Sequence, residues 1–405
     1  MVVLCVALTG HTDTKAAVLS LEACIDSALA NNPAVAAAAL AVEKARLLER
    51  TAFNPSGTEI TLKQETTGGG GPENGVYFGQ SFDFPTVYMA RRRALKEGSV
   101  LASGRFNVKA AEIEKEVSLA YCKALYAREC LRLGSELETV YDTFRKVAEA
   151  RYKEGETGVL ELMNADRMLE KLGMEIRETG LEYAAAIASL KALTGCREEF
   201  ELGNECYGAM EFILPEMMEF GNTHRGAVAG REIALAEREL ALAKNEMLPE
   251  IRLGATVQAL IKGFNPYHID RQRFEKGNFM GFEVGVSVPL FFGAGASKIR
   301  AAAAEKRISI LNMEAAESEA RQEFDTLSAA LRTLASSLVR YEERAMPRAR
   351  EMERIAGVSY ELGDIDYVEY IANIEGAYEV YREYAALVYD YNCTVIKLKN
   401  ITSGQ

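Results

Sequence analysis

The stretch 151–155 reads RYKEG and runs on to Leu193-Thr194, and 208 positions later the stretch 359–363 reads SYELG and runs on to Ile401-Thr402. Each copy follows a pair of short segments with alternating apolar and polar residues and a long segment with helical periodicity. A repeat at a fixed spacing defines the structural unit of a chain. The sequence therefore predicts two similar halves rather than a series of compact domains.

The composition is that of a folded, mainly helical protein. Of the 405 residues, 48% are hydrophobic and 26% are charged, and the helix formers Ala, Glu, Leu, Arg and Lys dominate. No linker rich in Pro, Gly or Ser divides the chain. The predicted organisation is a signal-like segment at 1–17, a first repeat at 18–195, a connecting segment at 196–221 and a second repeat at 222–405.

Each repeat contains a helical run that is too long for an ordinary globular domain. The first run extends from Pro85 to about Lys153, about 65 residues or on the order of 100 Å. Its apolar residues recur at spacings of three and four, as in the seam of a coiled coil. The second run spans 294–361, where Pro347 predicts a kink because it cannot donate a backbone hydrogen bond. Shorter helices are predicted at 21–53, 159–193 and 224–248.

Four segments alternate with the period of a strand: 58–66, 76–84, 251–257 and 282–288. A strand of about nine to eleven residues crosses an outer membrane when it is tilted, and such alternation is typical of a lipid-facing barrel wall. Four strands cannot close a barrel, and lipid leaves no partner for an exposed strand edge. The chain must therefore associate, most simply with cyclic symmetry, or lie outside a membrane.

The alternative is a small soluble sheet that caps a coiled coil, with one buried face and one wet face. Alternation alone does not distinguish the two. No stretch reaches the roughly 18 consecutive apolar residues of a transmembrane helix, so a membrane role would have to use strands or a surface contact.

Several function classes have little support. The net charge of -12 argues against nucleic-acid binding, which needs a basic surface. Three scattered histidines and the absence of a phosphate-loop or nucleophile motif argue against an enzyme, and no cofactor or metal is predicted. The seven cysteines fit neither a disulfide framework nor a zinc site. Cys196 and Cys206 flank one loop and could pair if the protein is exported, but two free thiols are equally compatible with the sequence.

Several short motifs follow one another along most of the chain. They are 19–29 (LSLEACIDSAL) followed by Asn31-Asn32-Pro33, 80–86 (QSFDFPT), 150–155 (ARYKEG), 286–291 (VSVPLF), and 347–349 (PRA) with 360–363 (YELG). Together they resemble the TolC family of bacterial outer-membrane efflux channels. The match extends from about Leu19 to Thr402, and the order and spacing of the motifs are more specific than any single motif. The stretch 80–86 is most similar to the heavy-metal, cation-efflux (Cus/Czc-like) branch.

The resemblance implies a homotrimer in which each chain gives four strands to a 12-stranded transmembrane β-barrel and long helical hairpins to an α-barrel across the periplasm. It implies a passive exit duct in a tripartite efflux system, for drugs or metals. The partners would be a periplasmic adaptor protein and an inner-membrane pump of the resistance-nodulation-division or ABC type. The loops at 67–75 and 262–278 would face outside. An exit duct for type I protein secretion and a soluble periplasmic coiled-coil scaffold remain as alternatives.

The resemblance also places the two glycine turns at the periplasmic tip. Adaptor contacts are expected at Tyr152, Gly155, Gly158, Tyr360 and Gly363. Glu161 and Glu369, each six residues past its glycine, match the position of acidic gate residues, with Asp364 and Asp366 nearby.

Three such carboxylates in a ring would repel anions and attract cations. A Glu at a helix start is also simply favourable for the helix dipole, so the position does not by itself prove a gate. Ile365 stands where the best-known members have an arginine that latches the closed state.

Overall fold

The computed structural model describes residues 17–66, 72–196, 200–203, 207–257, 280–290 and 292–404. The signal-like segment up to residue 16, part of the 67–75 loop, the whole 262–278 loop and Cys206 lie outside these ranges, so the predictions made for them stay predictions.

The order of elements repeats along the chain, with two strands followed by a long helix and a returning helix in each half. The strands are β1 (Ala17–Leu19), β2 (Glu59–Thr66), β3 (Pro72–Phe82), β4 (Phe200–Leu202), β5 (Glu250–Val257) and β6 (Met280–Ser287). The helices are α1 (Leu21–Asn31), α2 (Pro33–Glu49), α3 (Pro85–Glu154), α4 (Val159–Thr194), α5 (His224–Asn245), α6 (Phe292–Arg340), α7 (Met346–Leu362) and α8 (Tyr367–Ile401). A π-helical turn at Tyr341–Ala345 joins α6 to α7, and a 3-10 turn lies at Phe220–Asn222.

The single helix predicted for 21–53 is wrong, because Asn32 interrupts it. Asn32 has an extended ψ of 125°, and the two helices on either side are bent by 49°. A residue before proline is disfavoured in the helical region because the proline ring clashes with it. The Asn32 side chain stabilises the break by accepting from the Ala34 amide and donating to the Leu193 carbonyl.

The irregularity expected at Pro347 takes the form of a π turn. Since Pro347 cannot donate to the carbonyl four residues back, the chain changes its hydrogen-bond spacing just before it. The Met346 amide donates to the carbonyl of Tyr341, five residues earlier. The extra residue lets the helical path continue through 292–362.

The chain forms two compact units, and each takes segments from both repeats. One consists of 17–37, 108–223 and 319–404, and the other of 38–107 and 224–318. The first unit has a continuous core in which the predicted seam of α3 packs, including Leu133, Leu137 and Phe144. On α6 the buried side chains Phe324, Leu331 and Leu338 are seven residues apart, which is the heptad spacing of a coiled coil.

The second unit contains an antiparallel four-stranded sheet in the order β2-β3-β5-β6. Residues 79 and 254 lie opposite each other in its centre, and both are glycine. In the first unit, β1 and β4 form a short parallel pair.

In the described part of the chain, no individual helix is both long and apolar enough to cross a membrane. The bent pair α1 and α2 meets that criterion only when the two helices are taken together, by length and composition.

Gly363 should be required at the end of α7. Its φ of 78° lies in the left-handed region, which costs a residue with a Cβ roughly 1–2 kcal/mol. Gly363→Ala should therefore lower the free energy of unfolding by about that amount in urea titrations at one detergent and protein concentration. Gly357→Ala is the matched control, since it lies inside the same helix with open space around its Cβ. It should raise stability by about 0.5–1 kcal/mol, and equal effects of the two variants would refute this assignment.

Candidate functional site

The apolar face of the sheet is exposed. On β6, Phe282, Val284 and Val286 have exposed fractions of 79%, 76% and 65%. The register extends this face across the sheet, because Phe282 lies opposite Ala255, Ala255 opposite Phe78, and Phe78 opposite Ile60. A contiguous exposed apolar surface of this kind marks a site that contacts another protein or a membrane.

The opposite face of the sheet consists of small and polar residues and is covered in its centre by Tyr77. Tyr77 is only 8% exposed, and its ring lies flat over the facing pair Gly79 and Gly254. A Cβ at Gly79 would lie 2.7 Å from the ring, and one at Gly254 would lie 2.8 Å from it. Glycine at both positions therefore lets an aromatic side chain fill the space above the backbone.

Both outer strands of this sheet have an unpaired edge. Within the described residues, β2 pairs only with β3 and β6 pairs only with β5. Each edge presents a row of backbone N–H and C=O groups that need hydrogen-bond partners. The sheet therefore has both an apolar face and two edges that other strands could complete.

The two helical turns of the first unit end in the same way. The Glu156 amide donates to the Arg151 carbonyl and the Gly155 amide to the Tyr152 carbonyl; the equivalent bonds 208 positions later run from Asp364 to Ser359 and from Gly363 to Tyr360. This double bond with a left-handed glycine is the Schellman motif, and φ is 78° at both glycines. The repeat seen in the sequence thus specifies one backbone conformation twice.

The charged side chains of the two turns are arranged differently. In the first turn, the Arg151 guanidinium lies 3.3 Å from a carboxylate oxygen of Glu161 and 3.6 Å from one of Glu156. The residue equivalent to Arg151 in the second turn is Ser359. Among the described residues, Asp364, Asp366 and Glu369 have no ion-pair partner.

The start of the returning helix also differs between the turns. Asp366 caps α8, its carboxylate accepting from the Glu369 amide at 2.8 Å. The equivalent position before α4 is Gly158, which has the extended backbone of a cap but no side chain to accept a bond. The second turn is therefore held by a side-chain cap and the first by an ion pair.

The predicted tip residues fall into two groups. Glu161 is half-buried beside Arg151, whereas Asp364, Asp366 and Glu369 are exposed. Tyr152 is 44% exposed, but Tyr360 stacks on Tyr370 with ring centroids 4.7 Å apart. Ile365 packs half-buried against the core of this unit.

The sequence interpretation did not identify three apolar side chains that the turns expose. Leu160, Leu362 and Val368 have exposed fractions of 73%, 71% and 71%. Leu160 and Val368 are equivalent positions of the repeat, each just before its glutamate, so the spacing of 208 could have revealed them. Arg151 was recognised only as part of the repeated motif, because its ion pairs depend on the turn geometry.

Tyrosine–carboxylate hydrogen bonds join the helices of this unit. The Tyr141 hydroxyl donates to Glu375 at 2.6 Å and the Tyr381 hydroxyl donates to Glu353 at 2.9 Å. Burial and then the hydrogen bond to the neighbouring carboxylate raise the pKa of both phenols. For Tyr384, burial and the bond to Glu342 raise the pKa to about 12. These donors therefore keep their protons throughout the physiological pH range.

Known structures share this architecture over almost its whole length. CusC shares 18% sequence identity with this chain. The alignment covers 98% of this chain and 96% of CusC, with a TM-score of 0.78. The Campylobacter jejuni outer membrane channel CmeC is 15% identical over 98% of this chain and 90% of CmeC, with a TM-score of 0.77. The outer membrane protein VceC of Vibrio cholerae is 16% identical over 95% of this chain and 96% of VceC, with a TM-score of 0.73.

The chain has the fold of these outer-membrane proteins. The predicted class, mainly helical with a small strand part and long duplicated hairpins, is confirmed, and so is the resemblance to the TolC family at the level of the fold. The sequence matches no family model and no curated protein. CusC and CmeC align about equally well, so the heavy-metal branch suggested by 80–86 stays a prediction.

The contact of Tyr77 with Gly254 should be measurable by a double-mutant cycle. Gly254→Ala pushes a Cβ into the ring and should lower stability by about 1 kcal/mol. In a Tyr77→Ala background the same change should have almost no effect, because the ring is gone. Gly285→Ala is the control, since its Cβ would make only an ordinary 3.6 Å contact with Arg252. Thermal unfolding of the unmodified protein, the two single variants and the double variant in one detergent gives the coupling free energy between residues 77 and 254. Additive effects of the two substitutions would contradict the contact.

Proposed function

We propose that this protein is an outer-membrane exit duct that extends into the periplasm and serves a tripartite efflux system. The observation that carries the proposal is the four-stranded sheet with an exposed apolar face and two unpaired edges. A lipid bilayer covers such a face, and strands of other copies satisfy such edges. The fold shared with CmeC and VceC supports the same interpretation.

The proposed assembly is a homotrimer with a 12-stranded barrel. Three copies of a four-stranded sheet give the barrel an even number of strands above the minimum of about eight, and β6 of one copy pairs with β2 of the next. Cyclic symmetry makes the three β6–β2 junctions equivalent and leaves no edge unpaired. The polar face that carries Tyr77 then lies on the inside of the barrel.

The proposed partners are a periplasmic adaptor and, through it, an inner-membrane pump of the resistance-nodulation-division or ABC type. The adaptor would contact the exposed apolar side chains of the two turns, Leu160, Leu362 and Val368, beside Tyr152 and the glycines Gly155, Gly158 and Gly363. Exposed apolar residues surrounded by charges are typical of protein contact sites. A duct for type I protein secretion would use the same surface.

The acidic gate is proposed at the second turn rather than at both. The negative charge of Glu161 is balanced by its ion pair with Arg151. Glu369, Asp364 and Asp366 have no such partner among the described residues, so their charges can act on a passing ion. Three copies of this turn would place nine such carboxylates around the axis, which favours cations over anions.

A charge on the apolar face should prevent membrane assembly. Val284→Arg places a guanidinium where lipid is proposed and should cost about 2–4 kcal/mol per chain. Glu283→Arg, on the adjacent residue and the opposite face, is the control and should assemble normally. The measurement is the amount of heat-modifiable trimer in the outer-membrane fraction. A buffer-soluble monomer in the unmodified protein would instead support the coiled-coil scaffold and overturn the channel.

The gate proposal predicts unequal effects of two equivalent glutamates. A charge about 4 Å from an ion contributes about 1 kcal/mol in water, roughly a fivefold change in preference. Glu369→Gln should therefore lower the cation-to-anion permeability ratio of single channels in lipid bilayers by about that factor. Glu161→Gln should change it much less, and Arg151→Ser should raise it by freeing Glu161. An unchanged ratio in Glu369→Gln would disprove the gate at this turn.

A further inference from the structure

A pair of cysteines in the first compact unit joins the two repeats. Cys122 lies on α3 in the first repeat and Cys393 on α8 in the second. They face each other, because the Asn400 side chain of α8 donates to the Ala111 carbonyl of α3 on one side of the pair and Tyr126 stacks on Tyr389 on the other. Cys122 is 1% exposed, whereas Cys393 is half-buried. The sequence distance of 271 positions gave no indication that they meet.

The surrounding contacts fix this meeting as part of a regular antiparallel ladder. One turn further along α3, Tyr126 stacks on Tyr389, with ring centroids 4.8 Å apart. Further on, the Tyr141 hydroxyl donates to Glu375. As the position on α3 increases from 122 to 126 and 141, the partner on α8 decreases from 393 to 389 and 375. The register between α3 and α8 is therefore maintained over several turns, and it places the two thiols on facing positions of the two helices.

A buried residue next to the pair fixes the connecting segment at the same place. Asn392 is 4% exposed; its side-chain amide donates to the Gly208 carbonyl, and its side-chain oxygen accepts from the Met210 amide. The helices and the segment that crosses them are thus tied together around the thiols.

The two thiols differ in acidity. The hydrogen bond from Cys122, the Tyr389 hydroxyl and the charge of Lys397 lower the pKa of Cys393 to about 7, against the effect of burial. Its hydrogen bond to Cys393 and then burial raise the pKa of Cys122. An accessible thiolate beside a buried thiol is the arrangement of an attacking and a resolving cysteine.

We propose that Cys122 and Cys393 form a dithiol that exchanges with an external disulfide to give one intramolecular disulfide between α3 and α8. The Cys393 thiolate attacks a sulfur of the external disulfide and releases one thiolate. Cys122 then loses its proton to water and attacks the mixed disulfide at Cys393, releasing the second thiolate. The two protein thiols are oxidised and one external disulfide is reduced to two thiols, so atoms and electrons balance.

The product would fasten the first repeat covalently to the second. A disulfide that closes a long loop restricts the unfolded chain strongly. The bond should persist where disulfides are stable, as in the bacterial periplasm, and in this respect the inference rests on the proposed function. The exchange itself depends only on the two thiols.

The test uses the full chain, purified in detergent under reducing conditions and then incubated with oxidised glutathione. After denaturation, free thiols are counted by a maleimide–polyethylene glycol gel shift, and linked peptides are identified by mass spectrometry. In the unmodified protein, Cys122 and Cys393 should both lose their free thiols and appear together in one linked peptide pair. Its midpoint of thermal unfolding should rise on the order of 5 °C and return on reduction.

Three variants separate the roles of the cysteines. Cys130→Ser, two turns from Cys122 on the same helix, is the matched control. In this variant the thiols of Cys122 and Cys393 should still be lost. Cys122→Ser should lose one thiol, as a glutathione adduct on Cys393, because the attacking thiol remains. In Cys393→Ser, Cys122 should keep its free thiol. Full labelling of Cys122 and Cys393 in the oxidised unmodified protein would overturn the proposal, as would a lower unfolding midpoint of the linked form.

This outcome is independent of the test of the channel. Thiol counting needs only folded protein, whereas the channel is tested by fractionation and trimer formation. Failure to reach the outer membrane would refute the proposed function and leave the exchange measurable. A chain extracted from the envelope with both thiols free would refute the periplasmic role of the pair.

Discussion

The unpaired backbone edges of the small sheet constrain the rest of this protein. Backbone N–H and C=O groups must be satisfied, and the described chain supplies partners for only one side of β2 and of β6. Its apolar side chains add the same requirement, because they point away from the protein's own interior. Within the described residues, the sheet therefore has backbone groups and apolar side chains that the chain itself does not cover.

The internal duplication gives the chain two copies of one structural unit. Both repeats have the same order of elements and the same Schellman turn, so their backbones are nearly interchangeable at the tips. Divergence is concentrated in side chains. Arg151 against Ser359 and Gly158 against Asp366 change how each turn is held, and they leave different charges available. In the proposed duct, these differences between two turns of the same backbone conformation would divide gating and adaptor binding between them.

Contacts between the repeats concentrate on α8 in the first compact unit. Its side chains hydrogen-bond or stack with α3 through Glu375, Tyr389 and Cys393, and with the connecting segment through Asn392. Two of these contacts use tyrosine, a side chain with a large apolar body and a hydroxyl that can donate to a carboxylate. A polar seam of this kind specifies the register between helices more narrowly than aliphatic packing alone, since each hydroxyl needs one particular acceptor.

The sequence by itself determined the local structure and the repeat. The long helix from Pro85, the four strands, the glycine turns and the seam of α3 followed from periodicities of 3.6 and 2 and from glycine and proline positions, which act over a few residues. It did not predict the break at Asn32, because the helical pattern continues on both sides and only the stereochemistry before Pro33 separates them. Nor did periodicity show how the irregularity at Pro347 would be absorbed.

Only the tertiary structure decided which distant residues meet. It placed Tyr77 over Gly254, Arg151 between two glutamates, and Cys122 opposite Cys393, and it showed that the apolar face of the sheet is exposed. Alternation specifies that a strand has two different faces, but the burial of either face depends on what packs against it. Side chains separated by hundreds of positions come together through the packing of long helices, and that packing is a property of the whole fold.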